Sequence, residues 1–224
     1  MNEVVGNIEQ ERQDVYNALV GLDAFGFWLV QADMEPAEPP VREKPHVWRF
    51  AEFEPLLHRA AEIVPHELAD RRGIILRNPG CDPTRPSTTN TQYCAYSIYN
   101  PGEVFTPHIH SAAASRMLLE SDGKGYTNVE GEKCYLERGD LIITPGGTWH
   151  DHGNEGNEPM IWVDMLDIPV SILFNAAKFG WDYKENGVKM DRQSTTRSHL
   201  YSKRHFGVGG IRPRFAQTRL GNDT

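Results

Sequence analysis

Four of the nine histidines lie between positions 108 and 152, as two His-x-His pairs: His108-Ile109-His110 and His150-Asp151-His152. Neutral imidazole suits divalent transition metals, and residues two apart on a strand point to the same face. Each pair can therefore aim both rings at one point inside a sandwich of sheets. A lone pair of this kind is weak evidence for metal, so its surroundings must decide. Arg116 follows His110 by six residues, a spacing that puts both on the inward face of an uninterrupted strand. An inward guanidinium is costly unless it meets an anion, which a neighbouring acid could supply as well as a ligand. His152 shares the parity of His150 and reads as an acid–base group, a fourth ligand or a solvated loop residue. Asp164 reads as a pocket acid or a surface one. His46, His58, His66, His199 and His205 stand in no pattern.

The elements that must position these residues begin at Gly73, where the chain becomes short apolar runs separated by Gly, Asn, Asp and Pro. The runs are Ile74–Leu76, Gln92–Tyr99, Val104–His110, Arg116–Glu120, Gly125–Val129, Lys133–Leu136, Leu141–Thr144 and Met160–Leu166. Asp122-Gly123 and Glu130-Gly131 sit between them at hairpin spacing. Eight strands without intervening helices read as an all-β sandwich or barrel of the jelly-roll kind. Upstream, Ile8, Val15, Leu19 and Leu22 give a moderate helical period over residues 8–22. A loop rich in proline and acid follows at residues 34–40. A second helix is expected over Phe53–Val64, with Leu56, Leu57, Ala60, Ala61 and Val64 on one face. Pro55 would lie in its first turn, and Pro65 would close it.

Composition narrows the function classes. Thirty-one acidic against twenty-three basic residues leave a net charge of −8, which argues against nucleic acid as a partner. At 39% apolar residues the chain can build a core, yet no uninterrupted apolar stretch approaches the roughly 20 residues that span a bilayer. Met1-Asn2-Glu3 lacks the basic-then-apolar order of a signal peptide, so a cytoplasmic location is expected. Cys81, Cys94 and Cys134 form no C-x-x-C pair and no disulfide framework; they read as ordinary buried thiols.

The segments Gly102–His110 and Gly139–Asn154 resemble the two cupin motifs, G-x5-H-x-H and G-x5-P-x-G-x2-H-x3-N, and the second matches at every fixed position. Most metal cupins place a glutamate four or five residues after the second histidine; here Ala114 and Ser115 stand there, and Glu120 is too far along its strand. The expected site is therefore three neutral histidines, His108, His110 and His150. It keeps one more positive charge on a divalent ion than a two-histidine, one-carboxylate triad, and so favours an anionic, chelating substrate.

That departure, with Pro101–Arg116, Trp48-Arg49-Phe50, Arg71–Gly80 and Trp162–Pro169, resembles gentisate 1,2-dioxygenase and its relatives, salicylate and 1-hydroxy-2-naphthoate dioxygenases, over residues 8–180. The resemblance implies ring-cleaving oxygenation with Fe(II) as cofactor, O2 as co-substrate and gentisate opened to maleylpyruvate. His108, His110 and His150 match the iron ligands, and Arg116 the arginine that meets the substrate carboxylate. His152 and Asp164 match groups that hydrogen-bond the substrate and steer protons. Arg72 matches a second cationic position, Tyr93 an aromatic against the substrate ring, and Ser97 stands where the family carries a glutamine. The family's homo-oligomeric, tetrameric assembly is implied as well. Domain organisation is expected as an N-terminal helical extension (1–72), a cupin jelly roll (73–180) and a basic linker (181–224) toward a second cupin, which makes this chain an N-terminal half. Nine Lys/Arg against three Asp/Glu in residues 184–224 give that linker its charge. The rival readings are a cupin that only binds a small ligand or metal, and a cupin enzyme of another type.

Overall fold

The computed structural model describes residues 2–65, 68–69 and 72–195, with side chains from residue 8 onward. Arg71, His66, His199, His205 and the part of the expected linker beyond residue 195 lie outside the described residues. The chain divides into two compact units between Arg42 and Glu43.

The first unit contains helix α1 (Asn2–Gly21), a 3₁₀ turn at Phe27–Leu29 and the short helix α2 (Gln31–Met34). Helix α1 starts six residues before its apolar period. Polar i,i+4 contacts from Gln10 to Asp14 (3.0 Å) and Gln13 to Asn17 (3.1 Å), with the Arg12–Glu9 ion pair, support it in place of an apolar stripe.

The second unit opens with helix α3 (Phe50–Ile63). It begins three residues earlier than its pattern predicts, because Phe50 and Phe53 both pack their rings on Tyr96, at 5.3 and 5.4 Å. Pro55 therefore lies in the second turn, not the first. The buried line runs Phe50, Phe53, Leu57, Ala61; Leu57 is fully buried, whereas Leu56, expected on the same face, is exposed. Two adjacent leucines stand about 100° apart around a helix, so only one can face the sheet.

Strands β1 (Arg72–Ile75), β2 (Tyr93–Tyr99), β3 (Val104–His110), β4 (Ala114–Glu120), β5 (Gly125–Val129), β6 (Glu132–Tyr135), β7 (Leu141–Thr144), β8 (His150–Asn154), β9 (Met160–Leu166) and β10 (Phe179–Gly180) form two five-stranded sheets. Their orders are β1-β2-β9-β4-β7 and β10-β3-β8-β5-β6, every pairing antiparallel. This is the expected jelly roll. A short helix α4 (Ile168–Leu173) follows β9, and β11 (Lys184–Glu185) pairs with β12 (Val188–Lys189).

Between the sheets lies a core of Tyr99, Phe105, Leu118, Leu136, Met160 and Trp162. Tyr96, Ile98 and Ile161 point the other way, onto α3 with Leu57 and Leu76. The central strands β2 and β9 are thus buried on both faces, which is why they read as continuous apolar runs. Glu130 and Gly131, both at positive φ, close the β5–β6 hairpin in the two-residue turn whose twist matches its strands. No helix among the described residues is long and apolar enough to cross a membrane.

Candidate metal centre

Strand β3 carries one residue more than its partner β8 between Phe105, opposite His152, and His108, opposite His150. Pro107 occupies this bulge, where its missing N–H interrupts the ladder least. The extra residue re-phases the strand, so Phe105 and His108, three apart, are both fully buried in the sandwich. His110 continues that face, and His150 and His152 supply the same face of β8.

One ligand atom from each of His108, His110 and His150 lies within 4.8 Å of the other two. Each ring is held at Nδ1 by a backbone carbonyl: Thr106 at 3.0 Å, Ala112 at 2.7 Å and Thr148 at 2.9 Å. A carbonyl can only accept, so Nδ1 carries the proton and the lone pair stands on Nε2. Three neutral imidazoles with oriented Nε2 atoms fit a divalent transition metal. Glu120 lies elsewhere, near Glu54 and His58.

The opposite sheet supplies charge. Arg116 on β4, 1% exposed, places Nε 2.8 Å from Asp164 Oδ1 and donates Nη1 to Thr144 Oγ1 at 3.0 Å. Asp164 Oδ2 also accepts from Ser97 Oγ (2.7 Å) and Trp162 Nε1 (2.9 Å). The Trp162 ring is met edge-on by His152 at 5.2 Å, and the Arg116 guanidinium lies 5.8 Å from its centre. His152 in turn contacts Thr127 Oγ1 through Nδ1 at 3.0 Å. A chain of contacts therefore runs from Thr127 and His152 through Trp162 to Asp164, Arg116 and Ser97.

A family model described as a cupin domain matches residues 95–167, the stretch that holds all of these groups. The chain carries a cupin domain. It is 38% identical over 178 residues to a gentisate 1,2-dioxygenase from Ralstonia sp, covering 79% of this chain and 50% of the relative. It is also 38% identical over 154 residues to a 5-aminosalicylate 1,2-dioxygenase from Comamonas sp, covering 68% and 41%. A crystal structure of salicylate 1,2-dioxygenase from Pseudoaminobacter salicylatoxidans, an adduct with gentisate, superposes with a TM-score of 0.74 at 28% identity, covering 92% of this chain and 54% of that one. The chain spans about half the length of the curated relatives it matches. In sequence and fold it resembles the N-terminal cupin half of the gentisate 1,2-dioxygenase family.

Within this cupin, His108, His110, His150, His152, Arg116, Asp164 and Ser97 face the space between the sheets. Tyr93 has the same inner parity at the start of β2, opposite Leu166 and roughly 13 Å along the strand from Ser97. Arg72 is not brought to them. It stands opposite Ile98, on the face covered by α3, and its guanidinium binds Glu103 and the Val64 carbonyl. A one-residue step along a strand changes faces, and Arg72 falls on the outer one.

Several neighbours of the site escaped the sequence reading. Trp162 and Thr144 stood inside stretches quoted for their resemblance and Thr127 inside an expected strand, but none was given a role at the site. More consequential is the stretch from Phe179, at the end of the expected cupin segment, into the linker expected from residue 181. Phe179 pairs opposite His110, and Trp181 lays its ring near His108. Gln193 donates its backbone N–H (2.9 Å) and side-chain amide (3.2 Å) to Asp151, on the outer face between the two histidines of β8. Burial pushes the Asp151 carboxyl up to about 6, against the opposing effect of these hydrogen bonds. Asn186-Gly187, both at positive φ, was the signal that could have located the β11–β12 hairpin of this segment.

Proposed function

We propose that this cupin belongs to an Fe(II)-dependent dioxygenase that cleaves the ring of a hydroxylated aromatic acid between its carboxyl- and hydroxyl-bearing carbons, gentisate foremost. The observation that carries the reading is the opposition of three buried, tautomer-fixed histidines on one sheet to a buried arginine on the other. His108, His110 and His150 would hold the iron. Bound there, it supplies Lewis-acid and redox chemistry toward the acid and O2. The chain's own groups do the rest. Asp164 grips Arg116 at Nε and fixes the plane of the guanidinium, which orients the substrate carboxylate. Thr127 carries a hydroxyl that can donate to or accept from His152 Nδ1, so His152 can change tautomer while passing a phenolic proton at Nε2. Ser97, committed to Asp164, leaves a smaller side chain on β2 than a glutamine would. Cytoplasmic, homo-oligomeric assembly belongs to the same reading.

The test is anaerobic loading with Fe(II), then addition of O2 with gentisate, salicylate, 5-aminosalicylate or 1-hydroxy-2-naphthoate. Ring-opened product and oxygen uptake are followed together. The expected result is stoichiometric O2 consumption with one or more of these acids. Full iron loading without turnover of any of them would favour a cupin that only binds its ligand.

A further inference from the structure

The chain does not leave the sandwich after α4. Strand β10 lengthens the second sheet beside β3, and Ser111 ties it down through the carbonyls of Ala176 (2.6 Å) and Lys178 (3.0 Å). Gly180 permits close approach: a β-carbon there would stand 3.0 Å from Ile109 Cγ2. Two residues beyond Phe179, on the same parity, Trp181 sets its ring 5.4 Å from that of His108 with the planes 25° apart. It meets Phe105 edge-on at 5.7 Å. Phe105 itself stands edge-on to His108 at 4.5 Å. His108 is fully buried while Trp181 is 44% exposed, so the indole is the outer layer over this histidine.

We propose that Trp181 is a positioning residue for the metal ligand His108, holding its ring plane and screening its bond to the metal from water and competing chelators. The inference rests on the metal reading above. A histidine leaves a metal by rotating its ring, and His108 cannot rotate between the edge of Phe105 and the face of Trp181 without breaking that packing. The carbonyl of Thr106 fixes one nitrogen; the two aromatic rings fix the plane. Such supporting contacts are worth about 10–100-fold in metal affinity when removed.

The experiment uses the intact chain, loaded anaerobically with Co(II) and mixed with excess chelator while the visible absorption of the bound ion decays. Trp181→Leu keeps an apolar side chain but removes the ring; Trp181→Phe restores one. Release from the Leu variant should be about 10-fold faster or more, and from the Phe variant within about 3-fold of wild type. Equal release from wild type and Trp181→Leu, with Co(II) held by the triad, would overturn the inference and leave the metal reading intact. Acceleration of the same size in the Phe and Leu variants would also overturn it, since a ring then supplies nothing. If the wild type takes up no Co(II), or His108→Ala holds as much, the metal reading fails and the inference falls with it. Urea midpoints of the metal-free proteins accompany the rates; should Trp181→Leu unfold, Trp181→Met, which keeps apolar bulk without a ring, is compared with the Phe variant in its place.

Discussion

Asp164→Leu isolates the electrostatics of the inner network. Asp164 compensates a guanidinium that is 1% exposed and accepts two further hydrogen bonds, from Ser97 and Trp162. Removing one member of a buried ion pair strands the other charge, at a cost of about 3–5 kcal/mol. Arg116→Met should cost a similar amount, because it strands the carboxylate. When both are replaced no charge is left to strand, and the double variant should cost less than the two singles added together by about 2–3 kcal/mol. The assay is urea unfolding of the four metal-free proteins, followed by tryptophan emission and far-ultraviolet circular dichroism at constant m-value. Additivity within about 0.5 kcal/mol would refute the reasoning, showing that water or another group already serves Arg116.

Other outcomes follow from single residues. His110→Ala should remove stoichiometric divalent metal, read by elemental analysis, while the metal-free protein keeps its far-ultraviolet circular dichroism and a cooperative urea transition. Arg116→Lys should keep its metal but lose roughly tenfold or more in kcat/KM on an acid substrate, because an ammonium lacks the planar fork, and lose far less on a carboxylate-free analogue. Leu57→Ala should destabilise by about 2–5 kcal/mol, whereas its exposed neighbour Leu56→Ala should cost under about 0.5 kcal/mol; a reversed order would move the helix phase. Burial holds the Cys134 thiol at about 11, so at pH 8 its alkylation should be far slower than that of a free cysteine and should accelerate only on unfolding.

Much of the site was legible because its motifs encode backbone geometry as well as ligands. Gly139, Pro145 and Gly147 set the turns around β7 and β8, and strand parity then places His150 and His152 on one face. Arg116 also faces inward, but not by the expected parity of one uninterrupted strand: residues 111–113 break the strand after His110, and β4 joins the opposite sheet. Arg72, named from the family resemblance alone, shows the limit of carrying over a residue without its strand phase: it stands opposite Ile98 on the outer face. The Pro107 bulge was hidden for a related reason: a proline within a strand can mark an edge, a start or a bulge, and only the partner strand decides. Helix α3 was found but misphased, because the choice between Leu56 and Leu57 depends on where Tyr96 and Ile98 stand. Residues 179–193 were unreadable as structure since their partners, His108, His110, Asn128 and Asp151, are distant in sequence. Their own pattern carried only the Asn-Gly turn.

His108, His110 and His150 stand on one sheet and Arg116 on the other, with no hydrogen-bonded ladder between the two sheets among the described residues. The separation of the two chemical functions is therefore set by the thickness of what is packed between them: Phe105, Leu118, Met160 and Trp162 among others. Those side chains act as a spacer gauge. Trimming Met160 or enlarging Leu118 would change the reach from the histidines to the guanidinium without touching either. On the function proposed above, the length of acid accommodated is then set from inside the hydrophobic filling, by volume alone.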